Sequence, residues 1–573
     1  MASAGAPPLD ATVGRAGKAA RASRRLPLPS TVALESTAVF LFFGAAYFIV
    51  GYRVVVDLHL VNFDALARLA HAYFVWWNDP PKLASVGFVW PPMQTLVFLP
   101  FTLIRPLATS LAALPAMSAT FMAAMMLVLN RTLAWTGMRW FARYPLLLAF
   151  GFNPMILYYG ANGMAEAVYL FFLVVGVYFL LRWDVSGEAH LLAFVGVALA
   201  LSLLSRYEIL PFAIVIGVAV VLITVTRRPR KSGTSEVEAS LLLYLAPIAY
   251  AGAAWLFFNW LIVGNPLSFF NLGATSADIG SSQQEAAGLP IEHLGLVGLT
   301  HYLIDLNLVI FPLTVLVVPA LLLTAAVRRN LMSVVLAALV ATNAVVTAYL
   351  FIRSGSSDSN LLQLRYNMRA MPIALMGVGW LYYMWRPAVA RIAIWGLALA
   401  VLAVSIPVTW KTMETYPYQY EENVFLRALE TGEDQEGNVG ISGYPIGIQD
   451  EREMADYISE HVPAGDTILT DDAQTLGVML LNGHPDRFFD RIDYGEERWA
   501  ARLDEPYGKV DYLLVSTNQR CRAPCEDLVR VRYPGILDDK VPGMHVVFRN
   551  SRYVLIKVEA HPEAADRNTG AAP

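Results

Sequence analysis

Apolar runs of about twenty residues, the length that crosses a hydrocarbon core, recur along this chain and dominate what it can fold into. They fall near residues 32–53, 108–130, 144–161, 164–183, 190–206, 208–226, 240–263, 299–326, 331–352, 366–386 and 391–410, about eleven in all. With 56% of the 573 residues hydrophobic and only 15% charged, and a mean hydropathy of +0.48, a soluble globular class is excluded. The sequence predicts a polytopic α-helical membrane protein.

Charge divides the chain in two. From Lys411 onward lie 30 of its 46 acidic residues but only 17 of its 42 basic ones, so the preceding region is net positive. Residues 411–573 therefore read as a separate water-soluble domain of ordinary size. Within it EREMADYISEHV is helical in pattern, with Met454, Ile458 and Val462 on one face. DTILTDD, VDYLLVST, HVVFRN and YVLIKVE are short β-branched runs bounded by turn residues, which makes the domain α/β. No Gly-rich phosphate loop stands at a strand-to-helix junction, so no nucleotide site is expected there. Residues 1–31 are small, Pro-containing and basic, and read as a disordered cytoplasmic arm. The two cysteines, Cys521 and Cys525, are spaced too closely for most structural zinc patterns. A local disulfide and two free thiols both remain open.

Sidedness follows from the basic clusters. The run 88–103 is short and carries Pro91, Pro92 and Pro100, which break a regular helix. If it dips without crossing, the N-terminal arm shares the inner side with Arg131/Arg139/Arg143, Arg182, Arg227/Arg228/Arg230/Lys231, Arg328/Arg329 and Arg386/Arg391, as the positive-inside rule requires. The same parity puts on the outer face the loop 54–104, the turns at Asn162–Glu166 and Ser205–Glu208, the loop after Gly264, the Arg353–Arg369 stretch and the acidic tail.

These outer segments hold the residues suited to chemistry. Asp57 and Asp64 follow the first span, and ionisable groups near membrane depth are expensive to desolvate and usually functional. Asp64, Arg68 and His71 share a helical face in DALARLAHAYF; the plain alternative is an amphipathic interfacial helix with a weak i, i+4 pair. GANGMAEAV sets Asn162 and Glu166 between two spans, where a solvated loop acid is the alternative for Glu166. In SRYEIL, Arg206 is suited to a phosphate and Glu208 to orienting it; the alternative is a mutual pair or a snorkelling arginine. Arg365 and Arg369, four apart in RYNMRAMPIAL and beside Tyr366, fall on one helical face and suit a phosphate clamp, against the usual charge bias of outer loops. A carboxylate that takes a hydroxyl proton, with cations that hold a departing phosphate, is the equipment for glycosyl transfer from a lipid-phosphate donor.

The order of these elements resembles a known family. A short basic arm and one span precede an outer loop with Asp64, Ala65 and Arg68 and a Trp90-Pro91-Pro92 turn; Glu166, the Arg365-Tyr366…Pro372 segment and an outward α/β tail follow. This resembles the C-type fold of integral-membrane glycosyltransferases, especially bacterial proteins similar to protein O-mannosyltransferases and lipid A aminoarabinose transferases. The resemblance covers roughly residues 32–410. It implies that Asp64, with Asp57 as fallback, is the catalytic base or aligns the acceptor, and that Glu166 is the second acid, although the family often has Asp there. It further implies that Arg365 and Arg206 hold the donor phosphate. The tail has no WWDYG-type sequence, and Trp76-Trp77-Asn78-Asp79 lies in the wrong region, so en bloc oligosaccharide transfer and an obligatory divalent metal are not implied.

The expected function is transfer of a sugar from a polyprenyl-phosphate donor to a lipid, glycan or protein acceptor at the outer face of the plasma membrane. The expected partners are those substrates and membrane lipids, with no nucleic acid, no cofactor and no metal-ligand set indicated, a divalent metal being left open. A transporter or flippase of a lipid-linked component is the alternative. Such proteins often show repeated halves with matching broken helices, and that symmetry is not seen in this sequence. A non-catalytic assembly protein is a third possibility, though eleven spans exceed what anchoring needs.

Overall fold

The structure is a computed structural model that describes residues 31–87, 90–227, 235–269, 296–354, 364–416, 421–436, 447–491, 496–517 and 527–560. The basic arm, Arg228, Arg230 and Lys231, the loop 270–295, residues 355–363 and both cysteines fall outside these residues, as do the expectations placed on them.

The chain is a multi-pass membrane protein. Among the described residues seven helices are long and apolar enough to cross a bilayer, eight if one bent pair counts as a span. The seven match the expected runs 32–53, 108–130, 164–183, 208–226, 240–263, 331–352 and 391–410. The other four are helical but interrupted or short. The run 144–161 divides into Trp140–Gly151 and Pro154–Tyr159, parted where Pro154 lacks a backbone donor. The run 299–326 bends by 108° ahead of Leu313. His190–Leu203 and Ala370–Met384 have 14 and 15 residues; at 1.5 Å per residue they reach about 22 Å, short of a core about 30 Å thick. The segment expected to dip back forms Met93–Thr102 with Pro100 inside it, about 15 Å long.

Charged residues sort to the two ends of the bundle. At the end where the first helix, Thr31–Gly51, begins, Glu35 pairs with Arg143, whose Nε donates to Asn130 over 2.7 Å. At helix ends of the same parity, Arg227 pairs with Asp184 and Arg391 donates to the carbonyl oxygens of Tyr382 and Trp385. The opposite end gathers Asp64, Glu166, Arg206, Glu208 and Arg369.

The tail carries a five-stranded sheet in the order β2-β1-β3-β5-β4, built from β1 Ile468–Thr470, β2 Phe488–Phe489, β3 Tyr512–Ser516, β4 Met544–Arg549 and β5 Tyr553–Val558. β1 pairs in parallel with β2 and β3, whereas β5 runs antiparallel to β3 and β4. Alternation along the strands serves two layers: Leu469, Leu513, Val515, Val554 and Ile556 form one core with Trp499, while Ile468, Leu514 and Leu555 join the main core. Helix Gln449–His461 buries Met454 and Ile458, with Val462 buried as its cap.

The first-loop helix Phe63–Trp77 begins at Asn62, whose side chain accepts from Ala65 N, and it buries Leu66, Leu69, Ala70 and Tyr73 completely or nearly so. That face is covered by protein, while Phe63 and Trp76 stay exposed. Its partners are the short helix Met93–Thr102 and the tail helix Asp472–Asn482. Tyr73 donates to the Gly483 carbonyl over 2.9 Å, and Asn78 donates to Asp490 over 3.2 Å.

Gly51 sets how closely the first helix approaches its neighbours. A Cβ there would lie 2.5 Å from the Ala161 carbonyl oxygen and 2.5 Å from Pro115 Cβ, too close for backbone to absorb without a shift. Gly51→Val is expected to lower the melting temperature of the detergent-solubilised protein by several degrees. Gly252→Ala, which meets nothing within 4 Å, is expected to leave it unchanged in the same thermal scan.

Candidate active site

Four loops meet at one end of the bundle, and hydrogen bonds lock them there. In the turn after Tyr159, Gln94 Nε2 donates to the Gly163 carbonyl over 3.0 Å, and Gly163 N–H donates to Ser118 Oγ over 3.1 Å. Asn162 accepts from Met164 N over 3.0 Å, which starts helix Ala165–Ser186 with Glu166 in its first turn. Met93 N–H donates to the Leu204 carbonyl over 2.8 Å, joining the Trp-Pro-Pro turn to the Ser205–Glu208 turn.

The charged groups interlock across these loops. Arg206 pairs with buried Glu166 and, at 3.1 Å, with Glu208. Glu208 also accepts from Arg369 over 2.9 Å, and Arg369 donates to Asn343 over 3.0 Å. Buried charges of this kind persist only when paired. The expected mutual Arg206/Glu208 pair is thus one edge of a larger network.

Tyr366 stands at its centre. The guanidinium carbons of Arg206, Arg365 and Arg369 lie 5.7, 5.4 and 5.3 Å from its ring centroid, within cation–π range. Arg365 and Arg369 do not share a helix. Arg365 lies in a 3₁₀ turn, Leu364–Asn367, and the helix starts only at Ala370; the two side chains converge through Tyr366 instead.

Arg68 is buried, with Nη1 donating to the Asp64 carbonyl over 3.0 Å and its guanidinium 4.7 Å from the Trp90 ring. Its Nη2 is 3.9 Å from the Asp64 carboxylate, whose side chain is 36% exposed. Asp64 is therefore loosely held and open to a further partner. The Nε–H groups of Arg68 and Arg365 and the Oε2 of Glu166 are buried without a hydrogen-bond partner. Such orphans are uncommon in folded proteins. Arg365 also lies in the fields of Glu166 and Asp64.

Two expected residues stand apart. Asp57 sits in a π-helical turn, Tyr52–Asp57, and pairs at 3.2 Å with Arg53, both side chains well exposed. His71 donates from Nδ1 to the Ser85 carbonyl over 3.0 Å and lies against Gly87. Burial holds its pKa down to about 4, against the opposing pull of that carbonyl, so the ring is neutral and serves to pin the loop.

Two residues not expected from the sequence enter the site from the tail. Helix Glu421–Thr431 opens with Glu421 and Glu422. Glu421 accepts from Asn62 and, over 3.3 Å, from the Tyr158 hydroxyl; Glu422 accepts from Tyr159 over 2.7 Å. Tyr158 packs on Phe425 with ring centroids 4.7 Å apart. Burial pushes the Glu421 carboxyl up to about 7, with Arg365 and Asn62 pulling it back and Glu422 and Asp64 adding to the rise. Paired acids at a helix N-terminus are the common dipole signature, which hides any second role.

The fold is that of an ArnT. The crystal structure of ArnT from Cupriavidus metallidurans in the apo state aligns with a TM-score of 0.52 at 12% identity, over 92% of this chain and 99% of that one. The structure of the same protein bound to undecaprenyl phosphate gives a TM-score of 0.48 at 14% identity, over 91% and 98%. No protein-family profile and no curated protein sequence matches the chain.

A carboxyl raised from 4.5 to about 7 in the folded protein contributes stability that is full below its unfolded pKa and is lost as pH rises through 7. Glu421→Gln keeps an acceptor for Asn62 and removes this dependence. Its melting temperature relative to the unmodified protein is expected to rise steadily between pH 5 and pH 8. A constant difference across that window would show that Glu421 titrates normally.

Proposed function

We propose that this chain is a glycosyltransferase that moves a hexose or pentose from a polyprenyl-phosphate donor to a lipid, glycan or protein acceptor at the outer face of the membrane. The observation that carries the reading is the pair of buried, unpartnered Nε–H donors on Arg68 and Arg365 beside the open carboxylate of Asp64. Cationic donors removed from water call for an anion, and a phosphate with its sugar linkage next to Asp64 meets that need. The ArnT-like fold favours a transferase over a transporter or flippase.

In this mechanism the acceptor oxygen attacks the anomeric carbon while its proton passes to Asp64. The bond from that carbon to the donor phosphate oxygen breaks, and the electron pair stays on the phosphate, held by Arg365 and Arg68. Tyr366 spaces the guanidinium groups. Glu166 and Glu208 hold Arg206 and Arg369 in place, and Asn162 fixes the turn that delivers Glu166. Asp57 and His71 take no part in the chemistry.

The inner side is the end with Glu35, Arg143, Asp184 and Arg227, which continues toward the basic arm; the tail, residues 411–573, lies outside. Eleven crossings satisfy this parity if the short and broken helices also traverse the membrane.

Purified protein supplied with a radiolabelled polyprenyl-phosphate sugar and a panel of lipid and glycan acceptors tests the assignment. Asp64→Asn is expected to cut turnover by about 100-fold or more, the usual contribution of a general base, while donor binding persists. Arg365→Ala is expected to weaken donor binding, and Asp57→Asn to stay within a few-fold of the unmodified protein. Full transfer by Asp64→Asn would refute the base assignment.

A further inference from the structure

Away from this cluster, His59, Asp434 and Glu436 bring one ligand atom each to within 4.8 Å of one another. His59 Nδ1 lies 2.9 Å from Asp434 Oδ1 and 2.9 Å from Glu436 Oε2. A ring nitrogen carries at most one proton, so it cannot serve two carboxylate oxygens at that distance equally well. Glu436 Oε1 is buried without a hydrogen-bond donor among the described residues; Arg452 Nε lies 3.7 Å from it.

The backbone is committed to this arrangement. His59 has φ +52°, the left-handed region that a non-glycine side chain rarely adopts and that clusters at functional positions. Gln435 N–H donates to the Leu58 carbonyl over 2.8 Å, holding the segment Asp434–Glu436 beside the first loop. The three groups open onto a cavity of about 600 Å³ also lined by Gln449, Arg452, Glu453 and Asp456.

We propose that His59, Asp434 and Glu436 form a binding site for a divalent transition-metal ion, Zn²⁺ or a chemically similar one, that clamps the first outer loop to the start of the tail. Ligand atoms about 2.0–2.2 Å from such an ion lie about 3.4 Å apart in a tetrahedral shell and about 3 Å apart in a five- or six-coordinate one, so the 2.9 Å from His59 Nδ1 to both carboxylates matches the latter and comes within about 0.5 Å of the former. A neutral imidazole with two carboxylates carries two negative charges, which a divalent cation balances. One nitrogen with two oxygens suits Zn²⁺ rather than Ca²⁺, which takes six to eight oxygens. The three groups line the cavity, from which water can complete the shell. The site is separate from the transferase chemistry, which does not draw on these three residues.

The test uses the full chain, purified without a histidine tag, stripped with a chelator and reloaded with Zn²⁺. Elemental analysis is expected to find about one more Zn²⁺ per chain in the unmodified protein than in His59→Gln or Asp434→Asn, and zinc is expected to raise the melting temperature of the unmodified protein alone. Co²⁺ added to the unmodified protein is expected to give a visible d–d band that Zn²⁺ bleaches, a readout that stands even where the variants fold poorly. Equal metal content in folded variants and unmodified protein, or no cobalt band, overturns the proposal. A melting temperature that falls as pH rises through the imidazole range yet ignores metal would identify a protonated-histidine clamp and overturn it as well.

Discussion

Buried charge cannot be left uncompensated inside a protein, and the end of the bundle that carries Glu166 and Arg206 is arranged around that constraint. Glu166, Arg206, Glu208 and Arg369 form an unbroken run of ion pairs, delivered by the start of one helix, the Ser205–Glu208 turn and the start of another. Removing Arg206 strands Glu166 and removing Glu208 strands Arg369, each as a buried ion without its ion-pair partner, far more costly than losing an exposed pair. The network thereby fixes the helix ends relative to one another. Arg68 and Arg365 stand near it with buried Nε–H groups that meet no acceptor among the described residues.

Much of this was legible in the sequence because hydrophobic length and charge position act over whole segments. Every apolar run that was expected is helical, and all four β-branched runs of the tail became strands. Interruptions were harder to see. Pro154 and Pro312 break runs that composition alone leaves continuous, and 14- and 15-residue helices look like spans until their ends are set by packing. The helical face shared by Asp64 and Arg68 was readable from their spacing. That Leu66 and Tyr73 face protein rather than lipid was not, because both surroundings are apolar.

The assembly of the site was only partly visible. Glu166, Arg206, Glu208, Arg365 and Arg369 were identifiable as polar residues stranded among apolar ones, but the partners of each depend on tertiary contact. Arg365 and Arg369 converge through an aromatic ring rather than a helical repeat. Asp57 and Asp64 look alike in sequence, yet a π-helical turn gives the first a private partner in Arg53 and leaves the second open. Glu421 and Glu422 carry the ordinary signature of a helix start, and only the tyrosines opposite, Tyr158 and Tyr159, give them another meaning.

That last contact bears on how the two halves of the chain can change over time. Composition draws a sharp border near residue 411, and such borders usually mark parts that can be exchanged between proteins or lost. Here the first helix beyond the border carries two carboxylates into the wall of the bundle cluster, and a later tail helix, Asp472–Asn482, packs on Phe63–Trp77. Tail and bundle are thus not freely exchangeable: a tail taken from another protein would have to bring matching acids to Tyr158, Tyr159 and Asn62, and an apolar surface to Leu66, before the membrane part could close properly.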